Sequence, residues 1–369
     1  MVIDKKIQAG LKDCVIPFVR GSERLRGMRH ADNTAMEAET GAKESHSVKE
    51  KKPREYLFDN YKVFLIFLVV VGHFIEPSYE NNPYLYELKW AIMAFHMPAF
   101  IFVSGYFSKK VPSIKKLMSS LVIPYLVYEV VYYLLYTFFL DKETGLYLAR
   151  PKFSLWYLMA LFVWRVITPW VKKIPGYFLL SVVAGLLVGF SGVANFLSIP
   201  RILYFFPFFL AGTAFDIEWI NRFRNKYGFA AALTALAGFT FFLFEDDWHR
   251  NTSIRIFYGR FSYAEMDMGS VEGMLVRLGC YAVSFLLVYL FMLVIPREKR
   301  SYSYLGRCTM AVYIFHGLIY NCLKYKTNLL SKVHTNEQSL LLILFCVFLV
   351  WFLSRKPFVK VTDRIANLI

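Results

Sequence analysis

Three histidines sit inside strongly apolar runs, at His73, His96 and His316. An ionisable side chain at such a place is expensive and faces a cavity or a partner. A neutral imidazole there can take a proton from a hydroxyl as that hydroxyl attacks, or carry a group for a moment. The first histidine has a companion. Its run opens Asp59-Asn60-Tyr61-Lys62 and closes on Gly72-His73. Lys62 and His73 are separated by eleven positions, which on a helix returns to within roughly 20° of the same face and spans roughly 16 Å. One face therefore carries a cation at one end and an imidazole at the other. A phosphate-bearing donor would meet Lys62, with Asp59 beside it, before its reactive end reached His73. The plainer reading of Lys62 is an ammonium that snorkels to the membrane interface.

The second histidine lies in Phe95-His96-Met97-Pro98-Ala99-Phe100, followed by Ser104-Gly105-Tyr106-Phe107. Pro98 is expected to break the helix and release carbonyls that lipid does not tolerate, so His96 belongs beside a lined cavity. Ser104 and Gly105 allow a close neighbour. His96 is read as a partner, proton relay or oxyanion donor to His73. Ser104, Tyr106, Trp156 and His316 are expected on the cavity lining. No Gly-x-Ser-x-Gly elbow surrounds Ser104, which argues against a serine nucleophile. No HxxxH or HExxH spacing links the histidines, so no metal site is expected.

These side chains must be held by membrane helices. Of 369 residues, 57% are hydrophobic, 18% aromatic and 19% charged. Soluble chains carry about 25% charged residues. The formal charge of +16 does not indicate nucleic acid, because Lys and Arg fall between apolar runs and not on one face. Five cysteines without a CxxC pair give neither a disulfide framework nor a zinc site. Residues 1–54 are polar and lack a long apolar run. They are expected to be a disordered cytoplasmic tail, not a signal peptide.

From residue 55 to 369 the pattern is apolar run, short polar turn, apolar run. It predicts an all-α polytopic bundle of about ten spans. They are placed at 57–75, 84–107, 117–140, 154–171, 176–191, 201–215, 228–244, 271–295, 304–322 and 340–353. None alternates with period two, which excludes a β-barrel. Alternate loops carry Lys109 to Lys116, Lys172 and Lys173, Arg222 to Lys226, Arg297 to Arg300, and Arg355 and Lys356. All fall on one side, so the positive-inside rule puts both termini in the cytoplasm. One long outer loop, 245–270, mixes acidic, basic and aromatic residues and has the character of a sugar-contacting or a plainly solvated segment.

Taken together, these stretches resemble the membrane acyltransferase-3 family, within it the fucose 4-O-acetylase-like branch. The resemblance rests on DNYKVFLIFLVVVGH at 59–73, FHMPAFIFVSGYF at 95–107, FPFFLAG at 206–212 and AVYIFH at 311–316, with LWYLMAL at 155–161 a weaker fifth. It implies an O-acyltransferase, with an acetyl group as the default, that takes its acyl group from cytoplasmic acyl-CoA. The acceptor would be a hydroxyl of an extracytoplasmic glycan or sugar. Acetyl-CoA would be a co-substrate, with no tightly bound cofactor, and the setting a bacterial cytoplasmic membrane. Where many members carry Arg-x10-His, this chain has Lys62-x10-His73, a point charge in place of a bidentate fork. No further domain follows the tenth span, so transfer is expected to finish here or with a partner in glycan synthesis. The alternative from another class is a transporter or flippase for a glycan or lipid-linked precursor. No internal repeat between the halves favours it.

Overall fold

The computed structural model describes residues 56–368 except 111, 194, 195 and 246. The tail expected at 1–54 lies outside the described residues, as does one position of the outer loop. Among the described residues the chain is helical throughout, without a strand. Its helices are α1 (Leu57–Phe74), α2 (Pro83–Tyr106), α3 (Ile114–Phe139), α4 (Trp156–Val171), α5 (Tyr177–Phe190) and α6 (Ile199–Ala214). They continue with α7 (Ile217–Phe223), α8 (Lys226–Glu245), α9 (Ser270–Val294), α10 (Thr309–Lys326), α11 (Asn336–Leu353) and α12 (Lys356–Ala366). A helix underlies each of the ten expected runs. Seven of them are long and apolar enough to cross a membrane: α1, α2, α3, α6 with its leading turn, α8, α9 and α11. α4 and α5 are shorter apolar helices.

Burial separates centre from rim. In the most apolar stretches of α1 and α2, 72% of residues are buried, against 11% in α8. α8 turns Phe229, Leu233, Phe241 and Phe242 outward. An apolar helix that exposes such side chains suits a lipid-facing rim. α1 and α2 are instead the inner pair, and α6, α9, α10 and α11 pack around them.

Two features fix that inner packing. The first is the α2–α6 crossing. A Cβ on Gly105 would lie 2.1 Å from the Phe209 carbonyl oxygen, and one on Gly212 would lie 2.0 Å from that of Phe102. The two backbones touch, which is the use of small residues in membrane packing. Gly212→Val should therefore force the helices apart and cost on the order of 3 kcal/mol. Thermal unfolding in detergent checks this, and an unchanged midpoint would show that the crossing can relax.

The second is Pro98. The expected break does not occur, because α2 runs through the proline. Proline lacks the N–H that would bond the Ala94 carbonyl four residues earlier. Ser284 Oγ of α9 supplies it instead, at 2.5 Å. The orphan acceptor is thus satisfied by a neighbouring helix, and α2 continues.

Candidate active site

α1, α2, α3, α4, α6 and α10 line a cavity of about 380 Å³, together with the segments around Phe153 and Tyr258. His73, in the last turn of α1, lines it. The imidazole centre lies 4.6 Å from the Phe153 ring, 5.4 Å from His316 and 6.0 Å from Tyr320. Phe153 has a φ of 48°. A bulky residue in this region is strained, and such strain persists only where its surroundings hold it. Two contacts do so. Lys152, the preceding residue, is bound to Glu129 of α3 through Nζ at 2.9 Å and through its backbone N–H at 3.1 Å. The Phe153 ring itself stacks on Tyr132 and Tyr320.

His96 lines the same cavity from α2. Its Nδ1 is 2.7 Å from the Ile92 carbonyl oxygen. A carbonyl only accepts, so Nδ1 carries the proton and, in the neutral ring, Nε2 keeps its lone pair. His316 is built alike, with Nδ1 2.9 Å from the Val312 carbonyl. It is fully buried, and its Nε2 has no hydrogen-bond partner among the described residues. That lone pair stands beside His73, where it can accept a ring N–H and orient the imidazole. His316 thus backs His73 from behind the lining.

The other expected residues divide. Trp156 lines the cavity, with the Arg201 guanidinium 4.9 Å above its ring. Ser104 does not line it. Its hydroxyl donates to the Phe100 carbonyl at 2.9 Å and stands 2.5 Å from the Tyr157 hydroxyl, and Tyr157 does line it. Tyr106 is also absent from the lining; it packs 4.2 Å from Phe58, under the Lys109 ammonium at 4.5 Å. Lys62 and Asp59 form an ion pair at 3.2 Å at the start of α1, away from the cavity.

Several lining residues escaped the sequence reading. Lys89 of α2 is fully buried. Its ammonium donates to the Gly72 carbonyl at 2.5 Å and pairs with Glu76. The Tyr258 hydroxyl lies 3.2 Å from both Glu76 oxygens. Burial, with Glu76 next, pushes this phenol well above its ordinary value, so it stays protonated and donates. Together these contacts fix the turn after His73. A count of charged residues within the second apolar run would have flagged both Lys89 and Glu87. Glu87 is buried and accepts from His249 at 2.5 Å and Arg250 at 2.9 Å. It pins the α8–α9 segment onto α2, and that segment brings Tyr258 and Arg260 to the cavity. Nothing local in the sequence marks those two.

The site is an aromatic chamber with the imidazoles of His73 and His96 in its wall and cations around them. A family model described as an acyltransferase domain matches residues 55–355. Neither a curated protein nor a solved structure matches the chain. The family match runs from the residues before α1 past the end of α11 and takes in every wall of the cavity; the chain belongs to the acyltransferase-3 family of membrane proteins.

Proposed function

We propose that this chain is an integral-membrane O-acyltransferase of the fucose 4-O-acetylase-like kind. It moves an acetyl or other short acyl group from cytoplasmic acyl-CoA to a hydroxyl of an extracytoplasmic glycan or sugar. In this reading all ten runs cross a bacterial cytoplasmic membrane and both termini are cytoplasmic. The thioester already has a good leaving group, whereas a sugar hydroxyl is a poor nucleophile at neutral pH. His73 acts as general base. Its ring nitrogen takes the hydroxyl proton while the sugar oxygen bonds to the acyl carbon. The carbon–sulfur bond breaks, and the leaving thiolate recovers that proton from the imidazolium as free coenzyme A. His96 faces the same cavity and would serve the developing oxyanion or relay the proton. Lys62, at the opposite end of α1 and held there by Asp59, would meet the donor's phosphates.

The observation that carries this reading is the position of His73. It is in the wall of the cavity, beside His316 and with His96 in another wall, in a chain of acyltransferase lineage. Proteoliposomes with a single protein orientation test the sidedness. Acetyl-CoA supplied at the cytoplasmic face should acetylate a glycan offered only at the other face. Acetylation that needs donor and acceptor on the same side would overturn it.

A further inference from the structure

The charge around the cavity is unbalanced. Lys89, Arg201, Arg260 and Lys324 line it, against the single carboxylate of Glu76, an excess of three positive charges. Glu76 is already engaged by Lys89. The two arginines are linked through one stretch of backbone. Arg201 Nε donates to the Tyr258 carbonyl at 3.3 Å, two residues before Arg260. Trp156 lies under the Arg201 guanidinium and limits its tilt. Arg260 Nε is buried without a hydrogen-bond partner among the described residues. Guanidinium groups taken out of bulk water gain most from a planar anion that accepts two hydrogen bonds at once. A neutral sugar offers no such partner.

We infer that Arg201 and Arg260, backed by Lys324, form a subsite for an anionic group, a carboxylate or a phosphate, on the sugar whose hydroxyl receives the acyl group. This rests on the acyl-transfer reading and narrows its acceptor to the acidic glycans. Binding the anion there would hold the sugar by one end and leave its hydroxyls facing the histidines. The donor's own phosphates share this chemistry, so the test must separate the two sources.

The experiment uses the full chain in nanodiscs and follows binding by calorimetry. The probes are methyl glucuronide, methyl glucoside, inorganic phosphate and coenzyme A. The native protein should bind the glucuronide roughly tenfold more tightly than the glucoside, the scale of one charge-assisted hydrogen bond. Arg260→Gln should remove that preference, Arg260→Lys should keep part of it, and coenzyme A should bind both variants as it binds the native chain. Circular dichroism confirms that the variants fold. Equal binding of the two sugars, or no saturable binding of any anionic probe but coenzyme A, overturns the subsite. So does an Arg260→Gln variant that loses coenzyme A and keeps the glucuronide, since the anion would then belong to the donor. Acetyl transfer measured on the same preparations keeps the two claims apart. A charge preference in binding without any acetyl-CoA consumption sinks the acyl-transfer reading and leaves an anion site. Turnover of neutral sugars as fast as acidic ones sinks the subsite alone.

Discussion

His73→Ala should lower acetyl-CoA turnover by on the order of 100- to 10,000-fold, the usual contribution of a positioned general base. Donor affinity should stay near the native value, because the donor's charged groups are expected to meet Lys62 and not the imidazole. The geometry makes the loss hard to rescue locally. His316 is 5.4 Å away, centre to centre, but its fully buried ring lies behind His73 and outside the cavity lining. His96 opens on the cavity from another helix and is tied to Ile92. Release of free coenzyme A in liposomes, beside a donor-binding measurement, checks this. Equal turnover by both proteins would remove His73 from the chemistry. No turnover by either, with donor binding intact, would favour the transporter reading.

Glu129→Ala should be the most damaging single change for stability, at about 3–5 kcal/mol. The Glu129 side chain is 0% exposed and that of Lys152 is 7% exposed. Removing the carboxylate leaves a buried ammonium without a counter-charge at that position, facing the Gly145 carbonyl at 2.9 Å and the Tyr133 ring at 5.9 Å. It also frees the backbone N–H of Lys152, next to Phe153, whose left-handed conformation sets the ring against His73. Turnover should therefore fall together with the unfolding temperature. The double replacement Glu129→Leu with Lys152→Leu should recover much of the stability, since no charge is then left unpaired. A Glu129→Ala protein that unfolds at the native temperature would show that Lys152 reaches solvent.

Most of the helices were legible because apolar length specifies them; α10 is the exception, since it falls in neither the long nor the shorter apolar group. Each run from 57–75 to 340–353 has its helix, with boundaries that move by up to five residues, most at the run expected over 304–322. The histidines stood out for the same reason, as polar groups in apolar stretches. What the sequence did not disclose was pairing across distance. Pro98 looked like a break because its rescuer, Ser284, is 190 residues away in the chain. Lys89 was overlooked although it lies within a span, and its ties to Glu76 and Gly72 depend on how α1 and α2 meet. Tyr258 and Arg260 come from a mixed polar segment with no periodicity, and contacts distant in sequence, from His249 and Arg250 to Glu87 and from Tyr258 to Glu76 and Arg201, bring them in. The helical arithmetic for Lys62 and His73 put roughly 16 Å between them, and that span is why Lys62 is outside the cavity.

The cavity draws its walls from Ile66 near the start of the bundle to Tyr325 near its end. During synthesis, α1 and α2 enter the membrane long before α10 exists. The nascent chain accordingly holds His73 and His96 without the aromatic wall, the second imidazole partner or the closing cations. The cavity can be complete only after α10 has been made. A truncated product, left in the membrane by a stalled ribosome, would carry His73 and His96 without the cavity that joins them.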